Sequence, residues 1–462
     1  MRLSAANLGA LAASVARPGY DRDARGVGIV HFGIGAFHRA HMAAYTDDAM
    51  ASGEGDWRIL GVSLRSPTVR DQLHPQNGLY TLVEHSFNGT KARIIGSVSD
   101  VLSASEERER LVATLAAATT DIVSFTITEK GYCRASDGSL DLALADERSA
   151  FAYLAEAFAR RSDAELPGLT LLSCDNLSGN GGQLQRLMTE YLAHHAPDLT
   201  GWFQSNCTCP STMVDRIVPA TTDSDRREIE ELLGLRDEAA VITEPFNQWV
   251  IEDSFAGPRP PWEEHGAQIT SDVHAYENAK LRMLNGAHSA LAYLGLQRGH
   301  EFVHQAIGDP ELLPIIDTLM RNEAATSLMP APGQDLSAYA DTLIERFKNP
   351  ALNHRLIQIA MDGSQKVPQR WLETLAFHQK YNRQCPAILA GIAAWIRHVC
   401  GENGLVDDPL AATLKTTCDA AGKPNVVAAL FALGGPMASD WVPCDADREL
   451  IITALNGGVG YA

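Results

Sequence analysis

A chain of 462 residues that is 45% hydrophobic can bury more than one core, so two domains are expected. Its formal net charge of -19 argues against nucleic acid or an anionic membrane as a partner, because both require basic surfaces. No apolar run approaches the roughly 18 residues of a membrane span, and the N-terminal MRLSAANLGALAASVARPGY lacks the long apolar centre of a secretory signal. Eight cysteines scattered along the chain do not amount to a disulfide framework, so the expectation is a cytoplasmic protein. Cys207 and Cys209 form a C-x-C without a second Cys or His pair at zinc spacing. They are read as free thiols, with no metal site.

In chain order, VGIVHF (27–32) is the first expected strand. GIGAFHRAH interrupts it, and MAAYTDDAMASG reads as a helix with a glycine stop. WRILGVSL (57–64), DIVSFTIT (121–128) and LTLLSCDN (169–176) are further strands, with helical EERERLVATLAAAT and SAFAYLAEAFARRS before the last two. Strands alternating with helices predict an α/β fold with a mostly parallel sheet. From about residue 273 the pattern becomes helical, in ENAKLRMLNGAHSALAYLGL, PELLPIIDTLMRNEAATSL, PAILAGIAAWIRHVC and NVVAALFALGG. The boundary is placed near 272, with an α/β domain over 1–272 and a mostly α-helical domain over 273–462.

Gly33 and Gly35 lie between the first strand and the first helix, where a Rossmann-type domain holds a dinucleotide pyrophosphate. Gly33 suits the tight turn and Gly35 lets backbone approach phosphate, while the helix start offers free N–H groups. The third position of the fingerprint is His38 rather than glycine, and Arg39 supplies a cation beside the helix start. After the second strand the chain reads GVSLRSPTVRD. Arg65 and Ser66 stand where an acid would read the ribose of NAD, so this segment by itself favours the 2'-phosphate of NADP.

The stretch KLRMLNGAHS carries three polar groups on an apolar helix. At about 100° per residue, with Lys280 at zero, Glu277 falls near 60°, His288 near 80° and Asn285 near 140°, so the four line one broad face. Buried lysine is rare without a task, and an apolar setting disfavours its charge, which suits a base for an alcohol proton. Asparagine donates to a developing alkoxide, and histidine fixes a hydroxyl. YENAK also spells Tyr276-x-x-x-Lys280, the tyrosine–lysine pair of short-chain dehydrogenases. The glycine loop does not follow that family's G-x-x-x-G-x-G, and the chain is about twice too long.

HFGIGAFHRAH, GVSLRS, NGLYTLVEH, TITEKGY, SCDNLSGNGG, CPSTMVDRIVP, EPFNQWVIED, KLRMLNGAHS and MDGSQKVPQR occur in this order. Together they resemble the polyol-specific long-chain dehydrogenases, the family of mannitol 2-dehydrogenase, fructuronate reductase (mannonate oxidoreductase) and arabinitol dehydrogenase. The resemblance covers nearly the whole chain. It implies a metal-independent dehydrogenase acting on CH–OH groups, with NAD as the usual cofactor and NADP as the alternative. It assigns Lys280 as general base, followed by Asn285 and His288, with Asn176 as the second asparagine of the oxyanion pair. It places Val214 and Asp215 beside the nicotinamide, Glu277 on a proton path to water, and Gly33, Gly35, Phe37 and Arg39 in the cofactor loop. The expected partner is a small sugar alcohol or sugar acid, bound by a monomer or small homo-oligomer. A carboxylate substrate needs cations, and Arg355, Lys366 and Arg370 are the candidates. They tilt the reading to D-mannonate/D-fructuronate, with D-mannitol/D-fructose or an arabinitol-type polyol as the alternative. A 6-phosphogluconate or hydroxyacid dehydrogenase and a non-catalytic dinucleotide-binding protein are the competing classes.

Overall fold

The computed structural model describes residues 1–87 and 89–457. The chain forms two compact units, Met1–Val273 and His274–Ala462. The strands of the first unit are β1 (Val27–Phe32), β2 (Arg58–Ser63), β3 (Tyr80–Ser86), β4 (Gly89–Ile95), β5 (Val98–Ser103), β6 (Ile122–Phe125), β7 (Thr170–Ser173), β8 (Thr212–Asp215), β9 (Val241–Thr243), β10 (Gln248–Glu252) and β11 (Gln268–Thr270).

Five of them make one parallel sheet in the order β5-β2-β1-β6-β7. Numbered along the chain, that is the 3-2-1-4-5 order of a Rossmann-type sheet, and the order reverses between β1 and β6. The expected parallel α/β architecture is therefore present. Alternate residues of each strand serve opposite faces. Val30, Phe32, Leu60, Val62, Val123, Phe125 and Leu171 enter a core with Leu111, Leu115, Phe151 and Phe158 of the helices Arg108–Ala116 and Ala150–Asp163. Ile29, Ile59, Ile122 and Leu172 face the other way, into a core with the helix Met42–Ser52, Trp249 and Trp262. Burial on both faces explains why these strands read as continuous apolar runs.

Two three-stranded sheets lie outside the expected strands. In β4-β3-β9 the β3–β4 pair is antiparallel and the β3–β9 pair parallel; in β11-β10-β8 the β10–β8 pair is antiparallel and the β10–β11 pair parallel.

The second unit is helical, with no strand among its described residues. Its central run is His274–Ala279, Lys280–Asn285 and Gly286–Gln297. The middle piece is a π-helix, not the regular α-helix that the sequence angles assumed. Two more π segments occur at Leu319–Ala324 and Pro368–Leu372. Met283, Ala287, Leu291, Trp371, Ile388 and Trp395 belong to one buried core. Glu323, on the second π segment, is buried in that unit, and its carboxylate accepts the N–H groups of Ala387 and Ile388, both at 2.8 Å. These residues open the helix Pro386–Val399.

Burial pushes the Glu323 carboxyl up from 4.5 to about 7, against the two N–H donors. The folded state thus binds this proton more tightly than the unfolded chain, and stability falls as pH rises through that window. Glu323→Gln removes the titration. Its Tm relative to wild type is expected to rise by several degrees between about pH 5 and about pH 8. A difference that stays constant with pH would show that the carboxyl titrates at its ordinary value.

Candidate active site

The glycine loop follows β1, at the point where the sheet order reverses. Gly33 has φ of +94°, and a Cβ there would lie 2.1 Å from the Thr126 carbonyl oxygen. Its own carbonyl accepts the Thr126 hydroxyl at 2.6 Å, and its N–H donates to Val62 O at 2.9 Å. Glycine is therefore imposed at position 33 by both conformation and space. Gly35 differs: its φ is -75°, and the nearest atom to an added Cβ is 3.8 Å away. Nothing within the protein demands glycine there, and the bare backbone is left open to a ligand, as a pyrophosphate loop requires.

The helix after the loop, Ala36–Ala40, is short and breaks at His41 before Met42–Ser52. Phe37 stacks on His41 with ring centroids 5.0 Å apart. Arg39 is buried and does not offer the expected free cation. Its Nη1 donates to Ala239 O, its Nε to Gly35 O at 3.3 Å, and its guanidinium lies over Tyr80. It is a structural arginine that ties the loop helix to a segment 200 residues away. His38 is fully buried and stacks on His31 at 3.4 Å. Burial holds both imidazoles neutral, His31 at about 3 and His38 well below its usual value. Both ring nitrogens of His38 lack a partner among the described residues. His31 bridges β1 to β6: Nδ1 is 2.7 Å from Ser124 Oγ and Nε2 is 2.9 Å from Thr126 Oγ1. This histidine went unnoticed in the sequence because it sits inside an apolar strand. Arg65 is exposed beyond β2, with no side-chain hydrogen bond or ion pair among the described residues, while Asp71 and Glu106 pair with Arg70.

Asn176 is exposed at the end of β7. Its neighbour Asp175 accepts Ile127 N at 3.0 Å, Thr128 N at 2.9 Å and the Tyr132 hydroxyl at 2.9 Å, which joins the ends of β6 and β7. Asn180 donates to Asp175 O and Thr212 O and accepts Thr212 N, fixing the start of β8. Val214 and Asp215 are buried on that strand, opposite Trp249 and Gln248. Arg216 does not hold Asp215. Its guanidinium pairs with Glu84 at 2.6 Å and donates to Ala40 O and Glu244 O. Asp175 and Asn180 are missed framework residues; both stand within SCDNLSGNGG, where only Asn176 attracted attention.

In the second unit, Lys280, Asn285 and His288 lie on one continuous helical run, and Lys280 and Asn285 are half-buried. The i→i+5 bonding of a π-turn brings residue i+5 back over residue i, so Lys280 and Asn285 share a side that an α-helix would not give them. Glu277 pairs with His274 at 3.0 Å. The Asn285 side-chain amide makes no hydrogen bond to the described residues, whereas its carbonyl accepts Arg370 Nη1 at 3.2 Å. Arg370 also donates to Ser289 Oγ at 2.7 Å. No carboxylate pairs with Arg370 among the described residues, and burial lowers its guanidinium to about 10. His288 is buried against Phe347 and His354, its Nε2 has no partner among the described residues, and burial first, then His354, Arg346 and Arg370, hold it neutral.

Two candidate cations are engaged elsewhere. Arg355 pairs with Glu301 at 2.5 Å, half-exposed. Lys366 Nζ donates to Ile359 O at 3.3 Å and Met361 O at 2.5 Å, and burial followed by Arg370 pushes its pKa down. Among the described residues no group of three His, Cys, Asp or Glu side chains is arranged to hold a metal, and no helix is long and apolar enough to cross a membrane.

A sheet of this order, with a glycine loop at its reversal point, is the equipment of a Rossmann-type dinucleotide-binding domain. Comparison with known proteins gives the family. The mannitol dehydrogenase Rossmann domain matches residues 27–264, and the mannitol dehydrogenase C-terminal domain matches residues 272–434. D-mannonate oxidoreductase of Escherichia coli (strain K12) is 41% identical, over 95% of this chain and 94% of that one. Mannitol 2-dehydrogenase of Pyrenophora tritici-repentis (strain Pt-1C-BFP) is 39% identical, over 90% of this chain and 77% of that one. The Pseudomonas fluorescens mannitol 2-dehydrogenase ternary complex with NAD and D-mannitol superposes with a TM-score of 0.81 at 35% identity, covering 99% of this chain and 96% of that one. A substrate-free D-sorbitol dehydrogenase gives 0.90 at 32%, covering 99% and 98%. The chain belongs to the mannitol dehydrogenase family and is a dehydrogenase acting on CH–OH groups.

The two glycines are expected to separate in stability. Gly33→Ala must relieve a 2.1 Å clash at positive φ and should lower Tm by many degrees, whereas Gly35→Ala should melt as wild type. Equal melting of the two variants would contradict this account of the loop.

Proposed function

We propose that the protein transfers hydride reversibly between NAD and a secondary alcohol of a linear sugar acid or sugar alcohol, with D-mannonate/D-fructuronate favoured over D-mannitol/D-fructose. Gly33, Gly35 and Phe37 would shape the dinucleotide loop, Val214 and Asp215 would line the nicotinamide end, and Arg65 would stand at the adenosine end. Bound nicotinamide supplies the hydride acceptor. Lys280 takes the alcohol proton as hydride leaves the same carbon, and returns it to the ketone oxygen in reverse. Asn285 and Asn176 donate their amide N–H groups to that oxygen as charge develops. Glu277 passes the proton from Lys280 towards water. His288, neutral, holds a substrate hydroxyl.

The observation that supports this reading is the π-turn over Lys280–Asn285, whose i→i+5 pitch puts these two positions on one side of the helix, with the Asn285 amide without a partner among the described residues. For the charged substrate, support comes from Arg370, a half-buried cation without a carboxylate partner among the described residues, beside His288 and Lys366. The 41% identical relative named D-mannonate oxidoreductase agrees. The second reading, a neutral polyol, is favoured by one observation: Arg355 and Lys366 are occupied by Glu301 and by backbone carbonyls.

Lys280→Ala is expected to lower kcat about a hundredfold or more with the NADH dissociation constant unchanged, whereas Tyr276→Phe remains close to wild type. Loss of turnover in Tyr276→Phe with retention in Lys280→Ala would transfer the base to the tyrosine. For the substrate, kcat/KM with fructuronate should exceed that with fructose, and Arg370→Met should erode the fructuronate value by about tenfold more. Efficient fructose reduction without any response to fructuronate would leave a mannitol 2-dehydrogenase.

A further inference from the structure

We infer that Trp371 is a positioning residue for Asn285, acting through the backbone at the seam between the π-turn and the helix that follows it. The inference rests on the role given to Asn285 above. Lys280–Asn285 is a π segment, and Gly286–Gln297 resumes as α-helix. Two consecutive carbonyls at that seam accept bonds from outside the helix. Asn285 O takes Arg370 Nη1 at 3.2 Å, and Gly286 O takes the Trp371 indole N–H at 3.2 Å. A helical carbonyl that receives an external donor tilts from the axis, and such donors fix where a helix changes pitch.

Trp371 is well placed to fix it. It is fully buried on the π segment Pro368–Leu372, with Tyr293 edge-on at 6.2 Å. Gly391 leaves room for the ring, since a Cβ there would come within 3.0 Å of it. The π segments Lys280–Asn285 and Pro368–Leu372 are also joined in the opposite sense, because Arg282 of the former donates to Glu373 at 2.9 Å, directly after the latter. Arg282 also reaches Ser327 Oγ at 3.2 Å. The turn that carries Lys280 and Asn285 is thereby held at both ends. The indole N–H holds the Gly286–Ala287 peptide, one peptide beyond the Asn285–Gly286 peptide that Arg370 holds, so its loss loosens the seam that orients the residue whose amide is to meet the reacting oxygen. A small misplacement of such a group costs turnover without changing dinucleotide affinity.

The test is a double-mutant cycle with Trp371→Phe, which keeps the ring and deletes the N–H, and Asn285→Ala. Turnover of the preferred sugar substrate, the NADH dissociation constant by calorimetry and Tm are measured for all four proteins. Trp371→Phe is expected to lower kcat about tenfold with NADH affinity unchanged, and to cause no further loss in the Asn285→Ala background. Equal fold losses in both backgrounds, or a drop in Tm without a change in kcat, would overturn the inference alone. Wild-type kcat in Asn285→Ala would overturn the role of Asn285 and the inference with it. Should Trp371→Phe not fold, Gly391→Ala, whose methyl presses on the same ring, takes its place with the same outcomes.

Discussion

Backbone N–H and C=O groups that are buried where a strand ends or a helix changes pitch have no ladder partner, and each must find a side chain. In this protein those breaks coincide with the candidate functional positions. Asp175 collects Ile127 N and Thr128 N where β6 ends. Asn180 closes the gap between β7 and β8. Arg216 caps Ala40 O, the last carbonyl of the short helix after the glycine loop. Arg370 and Trp371 take Asn285 O and Gly286 O. The side chains that satisfy the breaks are long, buried and remote in sequence. They set the geometry of residues such as Asn176, Val214 and Asn285 without being the reacting groups themselves.

This division explains what was legible in the sequence. The central strands could be read because burial on both faces makes VGIVHF, IVSF and TLLS continuous apolar runs. Lys280, Asn285 and His288 stood out because polar groups on an apolar helix need a reason. The π-turn could not be read, since its apolar pattern is the same as that of an α-helix, and the angles assigned to Asn285 and His288 therefore described the wrong pitch. β9 and β11 have only three residues each, too few for a period to show. Arg39 looked like a phosphate cation because its acceptor, Ala239 O, lies far along the chain. Lys366 looked like a free cation for a carboxylate for a comparable reason: its partners are carbonyls, which sequence patterns do not reveal.

Arg65 is what leaves a second cofactor chemistry open in the proposed reading. It is exposed, has no acid beside it in sequence, and follows the strand whose end reads the ribose in Rossmann-type domains. On that reading the glycine loop would be indifferent to the 2'-position, because Gly33 and Gly35 would serve only the pyrophosphate. In the reading proposed above, discrimination between NAD and NADP would fall to the short turn 63–66, ordered by the Ser63 hydroxyl bond to Ser66 O and the Ser66–Thr68 contact at 2.7 Å.

The buried arginines bear on the substrate question. The chain carries a net charge of -19, yet several guanidinium groups in its interior rest on carbonyls rather than carboxylates. Arg22 donates to Gly96 O, Asn77 O and Val98 O, and Arg161 to Pro167 O, Leu115 O, Ala117 O and Thr120 O. Arg22 thus rests on three carbonyls and Arg161 on four. Arg370 is supplied with one carbonyl and one hydroxyl, both through Nη1. Its remaining N–H donors face no acceptor among the described residues, and its charge is not neutralised there by an acid. A half-buried cation left short of acceptors gains most from an anion that brings two oxygens at once. A neutral polyol hydroxyl brings only one, so the shortfall at Arg370 weighs towards a substrate that carries its own carboxylate.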